Sequence, residues 1–191
     1  MPFLFYDMPS MLILIPALIL SLYAQYKVQS TFQKYLRVAN TGGYTGAQVA
    51  RRILDDLGLT DVTVELIGGR LTDHYDPRKR VLRLSAEVYH GSSVASIGVA
   101  AHESGHAIQH AYGYAPLSIR NAIVPIVNFS SQAAFIFIFL GLFFGGATLL
   151  LDIGIYLFTA VVLFQLITLP VEYNASSRAV AVLENYGYID R

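Results

Sequence analysis

Hydrophobic and polar positions divide this chain into long apolar blocks around one polar middle. Met8 to Tyr26, Ile123 to Leu151 and Ile153 to Leu169 are almost wholly apolar. Each approaches the ~20 residues with which an α-helix crosses a bilayer, so the pattern predicts about three transmembrane helices. Between the first and second lies Lys27 to Arg120, long enough for one small domain with its own core. Within it, Val49, Ile53, Leu54 and Leu57 share one face of a helix over Gly46 to Leu57, which Thr45 can cap and Gly58 can close. Val62 to Ile67 and Arg80 to Leu84 are short apolar or alternating bursts. They predict two strands of a small sheet, separated by Gly68-Gly69 and by Asp73-His74-Tyr75-Asp76-Pro77. A further proline-free helical pattern surrounds residues 96–111, with Ser92 or Ser93 as its cap.

Composition agrees with a membrane protein: 54% of residues are hydrophobic and 14% charged. The formal net charge is zero, but its distribution is informative. All 13 Lys and Arg residues fall between Lys27 and Arg120 or after Leu169. By the positive-inside rule the amino terminus and the turn at Asp152 lie outside, with the polar domain and the carboxyl end in the cytoplasm. The first apolar segment has no basic n-region and no small-residue cleavage site, and reads as an uncleaved anchor interrupted by Pro16. Phe3, Phe5, Tyr6, Tyr23 and Tyr26 flank it as interfacial aromatics would. The absence of cysteine leaves His, Asp and Glu as the strong metal ligands.

Two polar features mark the second apolar block. Asn128, Ser130, Ser131 and Gln132 suit hydrogen bonds between helices, favoured over lining a wet pocket near the metal, and Gly141 with Gly145 forms a GxxxG pattern that allows close helix approach.

Chemistry concentrates in His102-Glu103-Ser104-Gly105-His106, an HExxH motif inside the third helical pattern. Residues four apart share a helix face about 6 Å apart along the axis, so two imidazoles can converge on one zinc ion. Glu103 is then placed as general base toward a zinc-activated water. Three ionisable groups on an otherwise apolar helix are costly to bury without a cation.

A catalytic zinc site takes three protein ligands and keeps one position open. His110 lies two turns, about 12 Å, beyond His102, too far for the same ion, and reads as a polar contact at the helix end. A metzincin would need Gly at 109 and His at 112, where this chain has Gln109 and Tyr112. The acids after the motif are Asp152, Glu172, Glu184 and Asp190. Asp152 falls on the outer side. Glu172 follows the third span directly, and Pro170 suits the start or a kink of a helical segment that brings this acid over the motif helix. Glu172 is therefore favoured as third ligand over Glu184.

Three stretches carry a family resemblance: residues 71–77 (LTDHYDP), 99–109 (VAAHESGHAIQ) and 169–176 (LPVEYNAS). Together they resemble the bacterial YugP-type membrane proteins, described as neutral zinc metallopeptidases. The resemblance implies a gluzincin-type membrane metallopeptidase with His102, His106 and Glu172 as ligands and Glu103 as base. In better-known membrane gluzincins the position four after the third ligand is an aspartate that orients a histidine. Here it is Ser176, which predicts weaker support for that histidine or support from elsewhere. Family members also continue into another apolar helix, so the natural protein is expected to hold one more span than this chain.

The expected fold is a mainly α membrane protein with about three transmembrane helices and a small α+β zincin-like domain inserted between the first and second. The expected segments are an anchor over 1–27, a cytoplasmic zincin-like domain over 28–121, a transmembrane hairpin over 122–170 and a cytoplasmic segment over 171–191 carrying the third ligand. The expected activity is Zn2+-dependent endopeptidase at or near the cytoplasmic membrane face of a multi-pass protein. A scaffold with a structural or inactive zinc site is the alternative, and a zinc hydrolase of another substrate stays open. Expected partners are the lipid bilayer and a peptide or membrane-protein substrate, with room for a homo-oligomer or a membrane-protein partner. No basic aromatic surface points to nucleic acid. His74, Tyr75 and Arg178 are accessory candidates as donors to a developing oxyanion.

Overall fold

The computed structural model describes residues 8–146 and 148–189. Phe3, Phe5, Tyr6 and Asp190 lie outside the described residues. The order is α1 (Met8–Leu36), α2 (Gly46–Asp56), β1 (Thr63–Ile67), β2 (His74–Asp76), β3 (Val81–Ser85), α3 (Ala86–Tyr89), α4 (Val94–Ala111), α5 (Ala115–Phe143) and α6 (Thr148–Asn185). The protein is mainly helical with one small sheet.

Local chemistry sets the boundaries where the sequence predicts them. Thr45 accepts a hydrogen bond from the Gln48 amide while the Gln48 side chain caps the Thr45 amide, and Gly58 takes the left-handed conformation after the last turn of α2. Ser93, one of the two predicted caps, starts α4 by accepting from the Ser96 amide. Asn40, buried, donates to the Ser92 and Tyr44 carbonyls and ties the end of α1 to the start of α4.

α4 is the buried axis of the polar domain. One side meets Val49 and Ile53 of α2 with Ala179 and Leu183 of α6. Its other side joins Leu54, Leu82, Leu84, Val88 and, from α1, Phe32. Each large apolar side chain buried here contributes about 1.5–3 kcal/mol before entropy is counted. β3 is the central strand, parallel to β1 and antiparallel to β2. β2 lies within the stretch read from sequence as a separator. It holds its place because Asp73 accepts from the Ser85 amide and hydroxyl, and because Asp76 accepts from the Arg78 and Lys79 amides in the turn that follows.

Among the described residues two helices, α5 and α6, are long and apolar enough to cross a membrane. They form an antiparallel hairpin turned by Gly145 and Gly146, both at positive φ. Of the two glycines of the GxxxG pattern, Gly141 lies at a close approach to α6, against Leu151, and Gly145 serves the turn; on α6 a Cβ at Gly154 would meet Ile138 and the Ala134 carbonyl. Of the polar cluster on α5, Ser130 is buried, whereas Asn128 and Gln132 are exposed and, among the described residues, bridge no helices. The predicted segment boundaries at 27/28, 121/122 and 170/171 fall inside α1, α5 and α6, so the hairpin helices run unbroken into the polar domain.

At Gly105 α4 and α6 approach closely: a Cβ there would stand 2.7 Å from the Ala175 carbonyl oxygen. In an open helix, Gly to Ala stabilises by up to about 1 kcal/mol. Gly105→Ala should instead destabilise by about 1–3 kcal/mol, the cost of overpacking. Thermal unfolding in detergent checks the sign, and an unchanged or raised midpoint would contradict the close approach.

Candidate metal centre

One face of α4 presents His102 and His106 with their rings edge to face, centroids 4.9 Å apart. Glu172, 66 residues beyond His106 in sequence and across the whole hairpin, meets them from α6. Its Oε2 lies 3.2 Å from His102 Nε2 and 3.5 Å from His106 Nε2. The ligand atoms offered by the three residues all lie within 4.8 Å of one another. Glu184, the rival acid, does not belong to this group.

The far nitrogens of both rings are engaged, which decides what the near ones can do. His106 Nδ1 is 3.0 Å from Gln109 Oε1, an acceptor, so Nδ1 carries the proton. Gln109 is fully buried and held in turn, donating to the Val171 carbonyl and to Asn174 Oδ1. His102 Nδ1 lies 3.1 Å from Ser176 Oγ. Ser176 thus occupies the orienting position expected of an aspartate, and Gln109 supplies the support for the other ring. This leaves His106 Nε2 with its lone pair, and the Ser176 hydroxyl, able to accept from Nδ1, allows the same of His102. Two imidazole nitrogens beside one carboxylate suit zinc. Without a metal a proton serves. Burial alone would push the His106 proton affinity down, but the Glu172 carboxylate outweighs it and raises it above the ordinary histidine value.

Glu103 stands beside this group without joining it. Burial raises its carboxyl above the ordinary range, against the pull of the two histidines. Its Oε2 accepts a hydrogen bond of 3.1 Å from the Tyr75 amide on β2. The edge strand missed in the sequence therefore fixes the candidate base.

Other predicted residues are sorted by position. Tyr75 directs its hydroxyl to His110 Nδ1 at 2.9 Å, so His110 is the polar contact expected of it, holding β2 on α4. His74 lines the cleft, with Nδ1 against the Thr72 carbonyl and Nε2 3.4 Å from Arg83. Arg178 lies elsewhere: it donates to Asn174 Oδ1 and borders a separate hollow with Leu57, Ile108 and Tyr112. Arg120 of α5, overlooked in the sequence, lines the cleft and sits 3.6 Å from Glu172 Oε1. No spacing in the sequence links it to Glu172. Gln109 had a visible signal, lying one turn after His106 on the same face. The cleft itself is small, about 170 Å³, with Asp73, Leu117 and Asn121 completing its walls.

Comparison with known proteins agrees with this geometry. Residues 10–191 match the family described as "Putative neutral zinc metallopeptidase". The chain is 54% identical over 175 residues to a Bacillus subtilis (strain 168) protein named "Putative membrane protease YugP", covering 92% of this chain and 77% of that one. No solved structure matches. With nearly its whole length matched, the chain belongs to the family so described.

Proposed function

We propose that the protein is a membrane-embedded, gluzincin-type zinc endopeptidase that cuts peptide bonds at or near the cytoplasmic membrane face. The observation that carries the reading is the meeting of His102, His106 and Glu172 beside a buried carboxylate that is not itself a ligand. A structural site would have no use for Glu103 at that place.

Topology supports the same reading. α6 has 38 residues, about 57 Å of helix, against a hydrocarbon thickness of about 30 Å. Starting at Thr148, about twenty residues cross the bilayer and the rest overhang, which puts Glu172 just past the hydrocarbon. α1 is the third span: Leu12, Ile15, Leu18 and Leu20 are exposed apolar side chains, whereas Phe32 enters the core. The polar domain between α1 and α5 carries the basic residues and faces the cytoplasm.

When bound by the three ligands, zinc supplies a Lewis acid that polarises a carbonyl and acidifies water. Glu103 takes a proton from the water as its oxygen adds to the scissile carbonyl carbon. The same carboxyl returns that proton to the amide nitrogen as the C–N bond breaks, giving a carboxylate and an amine. Its raised proton affinity suits both transfers. The Tyr75 amide holds Oε2 and leaves Oε1 for the proton. Arg120, the one Lys or Arg among the described residues lining the cleft, takes the oxyanion-stabilising role for which His74, Tyr75 and Arg178 were the candidates from sequence.

Glu103→Gln should keep stoichiometric zinc and lose about 10²- to 10⁴-fold in cleavage, read as new amino termini released from membrane proteins. Full proteolysis by that variant would sink the general-base role. Stoichiometric zinc without chelator-sensitive cleavage in the native protein would favour a scaffold. Gln109→Leu and Ser176→Ala should each weaken zinc binding by about ten- to a hundredfold in a competition titration. Unchanged affinity would show that the ring orientations do not depend on them.

A further inference from the structure

One polar side chain of the metal cleft has no partner among the described residues. The metal group and Arg120 hold one another, and Glu103 is taken by the Tyr75 amide. Asp73, His74 and the Tyr75 hydroxyl are bonded to Ser85, Thr72 and His110 in turn. Asn121 lines the same cleft, half-buried on α5 next to Arg120 and one turn beyond Leu117, and its side chain makes no hydrogen bond to another described residue. A carboxamide offers one acceptor oxygen and two N–H donors. Water satisfies them in an empty cleft, but a ligand that displaces the water has to return both kinds of bond. A carboxylate or phosphate returns acceptors only, and an ammonium returns donors only. A backbone peptide group returns both, since it carries one N–H and one carbonyl. At about 170 Å³ the cleft is below the ~300–1,000 Å³ of pockets that enclose a drug-sized ligand, so it has room for a short length of chain and little more.

We propose that Asn121 is a substrate-binding residue, whose carboxamide grips the main chain of a peptide at a peptide group next to the bond under attack. The two neighbours on α5 then divide the work of that wall: Arg120 serves the developing oxyanion, and Asn121 holds backbone that does not react. Such a grip reads the main chain and not the side chains, so it keeps peptides of different sequence in register with the metal. The first hairpin helix contributes to binding the substrate as the second contributes to binding the metal. A peptide as occupant rests on the peptidase reading.

The test measures binding and not cleavage, using the full chain loaded with zinc in lipid nanodiscs. Acetohydroxamate probes the metal alone. A succinyl hydroxamate extended by alanyl-alanine amide adds peptide groups, and its backbone amides are N-methylated in turn. Asn121→Leu should weaken the extended hydroxamate roughly five- to fiftyfold and leave acetohydroxamate unchanged. One of the N-methylations should cost the native protein a similar factor and cost the variant almost nothing. Asn121→Ala, which crowds nothing, should repeat the pattern, with zinc content and the melting midpoint without ligand both unchanged. Equal affinity of native protein and variants for the extended hydroxamate would overturn the subsite. So would an equal loss for acetohydroxamate or a lowered midpoint without ligand, since Asn121 would then be bonded to another part of the protein. No binding of either hydroxamate would overturn the subsite together with the metal reading. Asn121-dependent binding by a protein that cuts no peptide would support the subsite and count against the peptidase reading alone.

Discussion

The passage of α6 across α4 at Gly105 and Ala175 is the contact on which the rest depends. Zinc ligation is short-ranged, about 2.0–2.2 Å per ligand, so a carboxylate from another helix is useful only if the crossing of the two helices is fixed. Gly105 removes the side chain that would hold them apart. The variable positions of the HExxH motif are therefore not idle: one of them is the point of approach. On either side of it the same crossing makes the two links that orient the rings, from Gln109 to Val171 and from Ser176 to His102.

The hairpin carries this crossing. α5 and α6 approach closely at Gly141 and Gly154, and Arg120 pairs with Glu172 at the other end of the hairpin. On the proposed topology, in which α6 crosses the bilayer, helix length sets the depth of Glu172. The small sheet brings the Tyr75 amide to Glu103.

Much of this was legible in the residues because local rules govern it. The capping box at Thr45, the left-handed glycine at 58, the Ser93 cap and the motif helix follow from neighbours a few positions apart. Glu172 was reachable by elimination, since acids are rare in the apolar half of the chain. What could not be read depends on contacts between distant segments. β2 is three residues long, too short for alternation to register, and exists through Asp73, Ser85 and its pairing with β3. The pairing of Arg120 with Glu172 and the close approaches at Gly141 and Gly154 depend on hairpin register, which no local pattern encodes. Ser176 was visible but read as a loss. A neutral hydroxyl orients a ring as an aspartate does when it lies 3.1 Å away.

On this reading a glutamate carried on the second hairpin helix completes a zinc site begun on α4. Zinc K-edge absorption of the purified protein, compared with Glu172→Ala, reads that shell. The native shell should hold two imidazole nitrogens at about 2.0–2.1 Å and a carboxylate oxygen at about 2.0–2.2 Å, with that oxygen lost in the variant. A shell that is the same with and without the Glu172 carboxylate would contradict it.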